Sequence, residues 1–230
     1  MHKSLLNIYS LLFDAYGEQH WWPAQTPFEM MCGAILTQNT AWGNVEKAIA
    51  NFGGRLNPAL ILAIDTTELA VIIRPSGFFN QKAERLKALA AWFDRYDCDT
   101  KAVSMLDPET VRGELLAISG VGRETADSIM LYAFGKPFFV VDAYTRRIFG
   151  RLGFTLPDDY EGIRTMFEVE LAGENSQDDA ALYNEYHALI VRHAKLHCKK
   201  TTICADCPLM ACCSFYKTTE DENRQAALNP

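Results

Sequence analysis

Five of the seven cysteines of this chain, Cys198, Cys204, Cys207, Cys212 and Cys213, fall within sixteen residues. A chain of 230 residues can bury a sizeable core without staples, so thiols gathered in this way suit a metal rather than disulfides. Cys198, Cys204, Cys207 and Cys213 read C-x5-C-x2-C-x5-C. Cys212 offers a C-x4-C ending instead, but adjacent side chains do not both reach one centre easily, and the fourth ligand is assigned to Cys213. Four thiolates accept structural zinc or an iron–sulfur cluster, and spacing leaves both open; zinc sites more often carry two C-x-x-C knuckles, whereas here there is one. Cys32 and Cys98 read as lone thiols of a helix face or a loop.

A second group of residues could handle charge. Asp142, in "FVVDAYTRRIFGRLG", opens a helical segment. A carboxylate capping a helix accepts backbone N–H bonds and is stabilised by the helix dipole, so it stays ionised and can face a positive charge. Taken alone, an Asp in that place is a structural cap. Upstream, "SGVGRETADSIMLYAF" sets two glycines ahead of a helix, leaving amides exposed at an N-terminus where a phosphate can rest. An αα-hairpin that merely turns is an equal reading of those glycines. Glu124 sits just inside the helix, either as a solvated or salt-bridged helix residue or as a source of negative charge. Near the other end, Trp21, Trp22 and Trp42 are three of the four tryptophans, gathered around "WWPAQTPFEMMCGAILTQNTAW". Any one indole fills a core by default.

The elements that must position these groups are helices. Apolar residues recur at helical spacing at Leu5, Ile8, Leu12 and Tyr16, at Met30, Met31, Ala34 and Ile35, and at Leu86, Leu89, Ala90 and Phe93. Asp107 before Pro108 and Asp142 before "AYTRRIFGRLG" mark starts, while Gly and Pro mark breaks at "NFGGRLNP", "RPSGFF", "SGVG", "FGKP" and "TLPDD". The pattern predicts about ten helices. Only "PFFVV", 137–141, invites the word strand, and the predicted class is all-α.

The formal net charge of -7 argues mildly against nucleic acid, but from 186 to 217 five bases face Asp206 alone, so an acidic protein carries a basic stretch. No apolar run approaches the roughly 20 residues of a membrane span, no secretory signal opens the chain, and a cytoplasmic protein, at the nucleoid in a prokaryote, is expected. The polar stretch 218–230 is expected to be a loose tail.

The run "SGVGRETADSIMLYAFGKPFFVVDAYTRRIFGRLG", followed by the distal cysteines, resembles the helix-hairpin-helix and Gly/Pro-Asp signature of the endonuclease III superfamily of DNA glycosylases, from about 27 to 213. The resemblance implies a two-lobed helix-hairpin-helix glycosylase fold with a C-terminal iron–sulfur cluster loop and a DNA cleft between two all-α domains. The expected division is 21–135, carrying the hairpin, against 1–20 with 136–217. It also implies a monomer acting on double-stranded DNA with a flipped damaged base. Asp142 matches the family's catalytic aspartate, beside a sugar that turns oxocarbenium-like as its base departs. Gly120, Val121, Gly122 and Arg123 would meet the DNA backbone, with Lys199 and Lys200 against phosphates, and Gln38 matches the residue that fills the gap left by flipping. Cys198, Cys204, Cys207 and Cys213 match a [4Fe-4S] motif whose first spacer is here one residue short, with zinc as the alternative.

Bifunctional members carry a nucleophilic lysine where this chain has Glu124, and a carboxylate forms no imine. Lys136 lies near but in a Gly-Lys-Pro turn, where a solvated lysine is expected. The Trp-Trp-Pro element and the acid at 124 resemble the 3-methyladenine glycosylase branch, in which aromatic side chains stack the flipped base. By that resemblance Trp21, Trp22 and Trp42 form the base pocket, and Glu124 shares the catalytic site by favouring a cationic base. "VDAY" in place of "VDTH" separates the chain from the lyases for oxidised pyrimidines. Two alternatives stand beside a monofunctional enzyme for alkylated purines: a related glycosylase for mismatched thymine or uracil or for oxidised pyrimidines, and a non-catalytic binder of DNA lesions.

Overall fold

A computed structural model describes residues 4–173 and 176–219, and for 176 and 177 the backbone alone. Among them are twelve α-helices, a final helical run at 214–219 and no strand. In chain order the helices are α1 (Leu5–Tyr16), α2 (Pro27–Leu36), α3 (Trp42–Ala50), α4 (Pro58–Ala63), α5 (Thr66–Ile72), α6 (Phe79–Asp94), α7 (Thr100–Ser104), α8 (Pro108–Leu116), α9 (Arg123–Phe134), α10 (Ala143–Leu152), α11 (Tyr160–Leu171) and α12 (Ser176–Leu196). None of the helices described is long and apolar enough to cross a membrane.

The chain divides into a central unit, Trp22–Phe138, and a terminal unit made from Met1–Trp21 with Phe139–Pro230. Both boundaries lie slightly later than the sequence places them, and local bonds explain the second. Lys136 Nζ donates to the Ser104 carbonyl at 2.7 Å, and the Arg112 guanidinium lies 5.7 Å over the Phe138 ring, so 136–138 stay with the central unit. Lys136 is therefore engaged rather than simply solvated.

In the central unit, helix starts follow from capping chemistry. Thr26, Asn57 and Asp107 each accept a backbone N–H, and each precedes a proline whose missing donor costs nothing in the first turn. Helix α2 is buried on every side, from Phe28 through Leu36 with only Glu29 more open, and it packs against α9, α3 and α6. Its C-terminal end is fixed by Lys82 of α6, which is 1% exposed and donates from Nζ to the carbonyls of Leu36 and Ser76 at 2.8 and 2.7 Å. Burial, and after it Arg85, lowers the Lys82 pKa to about 8. Helices α8 and α9, which flank "SGVG", are joined by a buried ion pair, Arg112 Nε to Asp127 Oδ1 at 2.5 Å and Nη2 to Oδ2 at 3.2 Å.

The terminal unit is built on rings. Phe139 stacks on Phe167 at 4.3 Å, Phe149 meets Phe167 edge-on at 4.8 Å, and Tyr186 stands at 6.0 Å from Phe139 and 6.1 Å from Phe149. Tyr186 also donates its hydroxyl to the Leu5 carbonyl at 2.7 Å, tying α12 to α1. The run "PFFVV" is apolar because Phe138 through Val141 are buried, yet it pairs with no strand. The Phe139 amide donates instead to Glu168 Oε1 at 2.9 Å, so a side chain takes the place of a ladder. Residues 214–219 close the described chain as a helical turn, with Thr218 and Thr219 hydroxyls donating to the Ser214 and Phe215 carbonyls. The tail expected from 218 thus begins in a helix, and 220–230 lie outside the described residues.

Candidate active site

In the terminal unit, Asp142 caps α10 from an extended backbone. Its Oδ1 accepts from the Thr145 amide at 2.7 Å and the Thr145 hydroxyl at 2.9 Å. Its Oδ2 lies 3.7 Å from Nε2 of His187, a residue of α12, and the two side chains are 12% and 7% exposed. Burial by itself would raise the Asp142 pKa, but His187 and then the Thr145 bonds outweigh it and hold the carboxyl below its ordinary value. The result is a fixed anion in a nearly closed setting. His187 was not legible in the sequence, where it is one histidine on an apolar stretch of helix.

The other end of α10 holds the cysteine loop. Arg147 and Arg151, one turn apart, donate to the carbonyls of Cys198 at 2.8 Å and of Lys199 at 2.7 Å, and Arg151 also reaches the Lys200 carbonyl at 3.1 Å. Arg151 Nη1 lies 3.2 Å from Cys198 Sγ, and Ser214 closes the loop onto Leu152 at 2.9 Å. Lys199 and Lys200 lie in this clamped segment with both residues exposed.

Cys198, Cys204, Cys207 and Cys213 all line one cavity of about 350 Å³, its open mouth included, together with His193, Arg151 and Leu209. Cys212 is buried and points its thiol at the Leu209 carbonyl, 3.2 Å away, which leaves Cys213 on the cavity wall. Burial pushes the Cys207 thiol up to about 11, with Cys204, Cys213 and Cys198 adding to the effect. The bare Cys207 thiol stays protonated at neutral pH, and a bound cation is what would make it a thiolate. Among the described residues, no three His, Cys, Asp or Glu side chains close on a single ion. Behind the four thiols His193, buried and with its pKa lowered to about 4 by burial and then by His197, pairs Nδ1 with the Tyr16 hydroxyl at 2.9 Å.

In the central unit the hairpin is specific about one glycine. Gly120 has φ +81°, and a Cβ there would stand 2.1 Å from Nε of Arg85. Gly122, the N-cap of α9, has an ordinary φ of -90° and open space around it, so local geometry does not require glycine. Val121 is 5% exposed, and its side chain anchors the turn in the core, leaving only backbone to face outward. Arg123 and Glu124 are exposed in the first turn of α9, where the helix dipole favours the acid. Gln38 binds the hairpin from α2's end, donating to the Gly120 carbonyl at 3.0 Å and the Thr125 hydroxyl at 2.9 Å, while its Oε1 accepts from Arg85 at 2.5 Å. Arg85 is a base that the sequence did not single out.

Of the three indoles expected in one pocket, Trp22 and Trp42 lie in the central unit and Trp21 in the terminal one. Trp22 meets Trp42 edge-on at 5.1 Å and Tyr132 at 5.3 Å, and its Nε1 edge rests 3.4 Å from where a Gly33 Cβ would stand. Trp42 donates its Nε1 proton to Glu46 at 2.9 Å. Trp21 belongs to the terminal unit, where Lys195 lies 5.9 Å over its ring. Tyr132, ten residues into α9, was missed because nothing in its spacing distinguishes it from core.

The model of the HhH-GPD superfamily of base excision DNA repair proteins matches residues 32–172. A protein of Methanocaldococcus jannaschii named as a DNA repair glycosylase is 46% identical over 216 residues, 92% of this chain and 96% of its own length. The 3-methyladenine DNA glycosylase of Helicobacter pylori, solved with 1,N6-ethenoadenine, superposes with a TM-score of 0.74 at 30% identity, over 87% of this chain and all of that one. Endonuclease III in a non-covalent complex with DNA gives 0.74 at 25% identity, over 96% of this chain and all of that one.

Proposed function

The chain belongs to the HhH-GPD superfamily of base excision DNA repair proteins, a DNA glycosylase whose partner is DNA, and from that premise we propose that it acts as a monomer that removes alkylated purines such as 3-methyladenine from a flipped nucleotide and leaves the strand intact. The observation that carries the reading is the clamped anion at Asp142, and beside it stands the motif resemblance that puts a carboxylate, Glu124, where bifunctional relatives carry a lysine.

The chemistry follows from the leaving group. A purine methylated on a ring nitrogen is a cation, and when its bond to C1′ breaks the electron pair returns to the base, which leaves neutral. No acid has to protonate it. What remains is an oxocarbenium-like sugar, and the Asp142 carboxylate lowers the energy of that cation and takes the proton of the water that adds to C1′. Thr145 holds Oδ1 with two bonds, so Oδ2, which faces His187 at 3.7 Å, is the oxygen left for this work.

Base recognition falls to Trp22, Trp42 and Tyr132, whose π-faces attract a cation, and the Glu46 carboxylate on the Trp42 indole N–H adds negative charge to that group. Gln38, Gly120, Val121, Gly122, Arg123, Lys199 and Lys200 serve DNA contact in this reading, Val121 through its backbone. Two lysines of the central unit are already engaged, which supports the absence of lyase chemistry. Lys136 is bonded to Ser104, and Lys82 is buried among three acceptors. Cys198, Cys204, Cys207 and Cys213 would hold a [4Fe-4S] cluster that braces the loop on α10, and Arg151 suits the negative charge of thiolate ligands.

Duplexes carrying 3-methyladenine, mismatched thymine, uracil or an oxidised pyrimidine test the substrate. The expected result is release of the methylated purine in preference to the rest, with strand breaks only after alkali. No release of methylated purine, or breaks without alkali together with borohydride trapping, would contradict it. Purified protein is expected to be brown and to carry iron at the cluster's stoichiometry; a colourless zinc protein would overturn the cluster.

A further inference from the structure

Asp142 has one oxygen spoken for and one left over. Oδ1 takes both Thr145 donors, and Oδ2 faces the imidazole of His187 across 3.7 Å. That separation is longer than a hydrogen bond, so the imidazole acts on the carboxylate by its place. His187 is 5% exposed, and its position is fixed from the residue before it, because Tyr186 bonds the Leu5 carbonyl and packs among Phe139, Phe149 and Phe167. The two partners come from α10 and α12, which pack together. Swinging Oδ2 out of line would take the carboxylate away from the imidazole and break two bonds to Thr145.

We propose that His187 is a positioning residue, which fixes the orientation of the Asp142 carboxylate so that Oδ2 is the oxygen presented to sugar and water. The inference rests on the role given to Asp142 above. His187 itself touches no reacting atom in this scheme, and its effect on the reaction passes through Asp142. The consequence is a specific pattern of coupling rather than a general loss.

Single-turnover excision with wild type, His187→Phe, His187→Gln, His187→Asn, Asp142→Asn and the double variant Asp142→Asn/His187→Phe tests it. His187→Phe keeps the ring and removes the nitrogen; a displaced carboxylate should lower kcat roughly 10²-fold with KM unchanged. The Gln amide reaches the place of Nε2 and should restore most of the rate, whereas the shorter Asn should not. In the Asp142→Asn background, His187→Phe should cost nothing further. Full activity in His187→Phe, a loss confined to KM, or the same fold-loss in both backgrounds would overturn the proposal. Should His187→Phe fail to fold, the Gln and Asn pair decides, and equal rates for the two would contradict it. An Asp142→Asn enzyme as fast as wild type would instead defeat the reading of Asp142, which keeps the two failures apart.

Discussion

The oxygens of Asp142 differ in their neighbours, and the balance among those neighbours sets the charge state of the residue. Burial favours the neutral acid, while the His187 imidazole and the Thr145 amide and hydroxyl favour the anion and prevail. A carboxyl whose folded pKa is depressed adds stability that is fully present above its unfolded value and is lost as pH falls through the folded one. Carbon-detected NMR of the carboxyl groups should therefore show Asp142 titrating below about 3.9, the value of a free aspartate; a midpoint above that would contradict the balance drawn here. Capping is a local event, so the role of Asp142 at the head of α10 was legible in "VVDAYT". His187 lies 45 positions further on, and no short-range rule links the two. Trp21 and Trp22 are adjacent in sequence, and the division of the chain into two units falls between them.

At the scale of elements, the hairpin separates a glycine that is required from one that is not. Gly120 needs a left-handed backbone and has Arg85 against its α-carbon, whereas Gly122 caps α9 with space to spare. Gly120→Ala should destabilise by about 2 kcal/mol or more, since an L-residue costs 1–2 in that conformation before any displacement of Arg85. Gly122→Ser should be neutral or slightly stabilising because a hydroxyl caps a helix better than no side chain. Thermal unfolding of the two variants checks this, and equal losses would contradict it. The sequence marked the turn through its glycines but could not rank them, because Arg85 arrives from a helix more than thirty residues away. Helix α10 was legible for a different reason: cap, amphipathic stripe and Gly153 all lie within it. What its two arginines grip, the carbonyls of the cysteine loop, depends on tertiary folding and was not.

Taken whole, the molecule pairs a continuous central unit with a terminal unit made from both ends of the chain. That discontinuity was legible only through the resemblance of motifs, since the periodicity of α1 says nothing of its packing on α11 and α12. Against a net charge of -7, the stretch 186–217 sets five bases beside Asp206 alone and is a local concentration of positive charge. The account's centre remains a fixed anion that stabilises a cationic sugar. Asn caps a helix about as well as Asp, so Asp142→Asn should keep the fold and lose the charge. Its single-turnover release of 3-methyladenine from duplex DNA, beside wild type, tests the claim most directly. The account predicts a loss on the order of 10²- to 10³-fold with DNA affinity retained; release at the wild-type rate would contradict it.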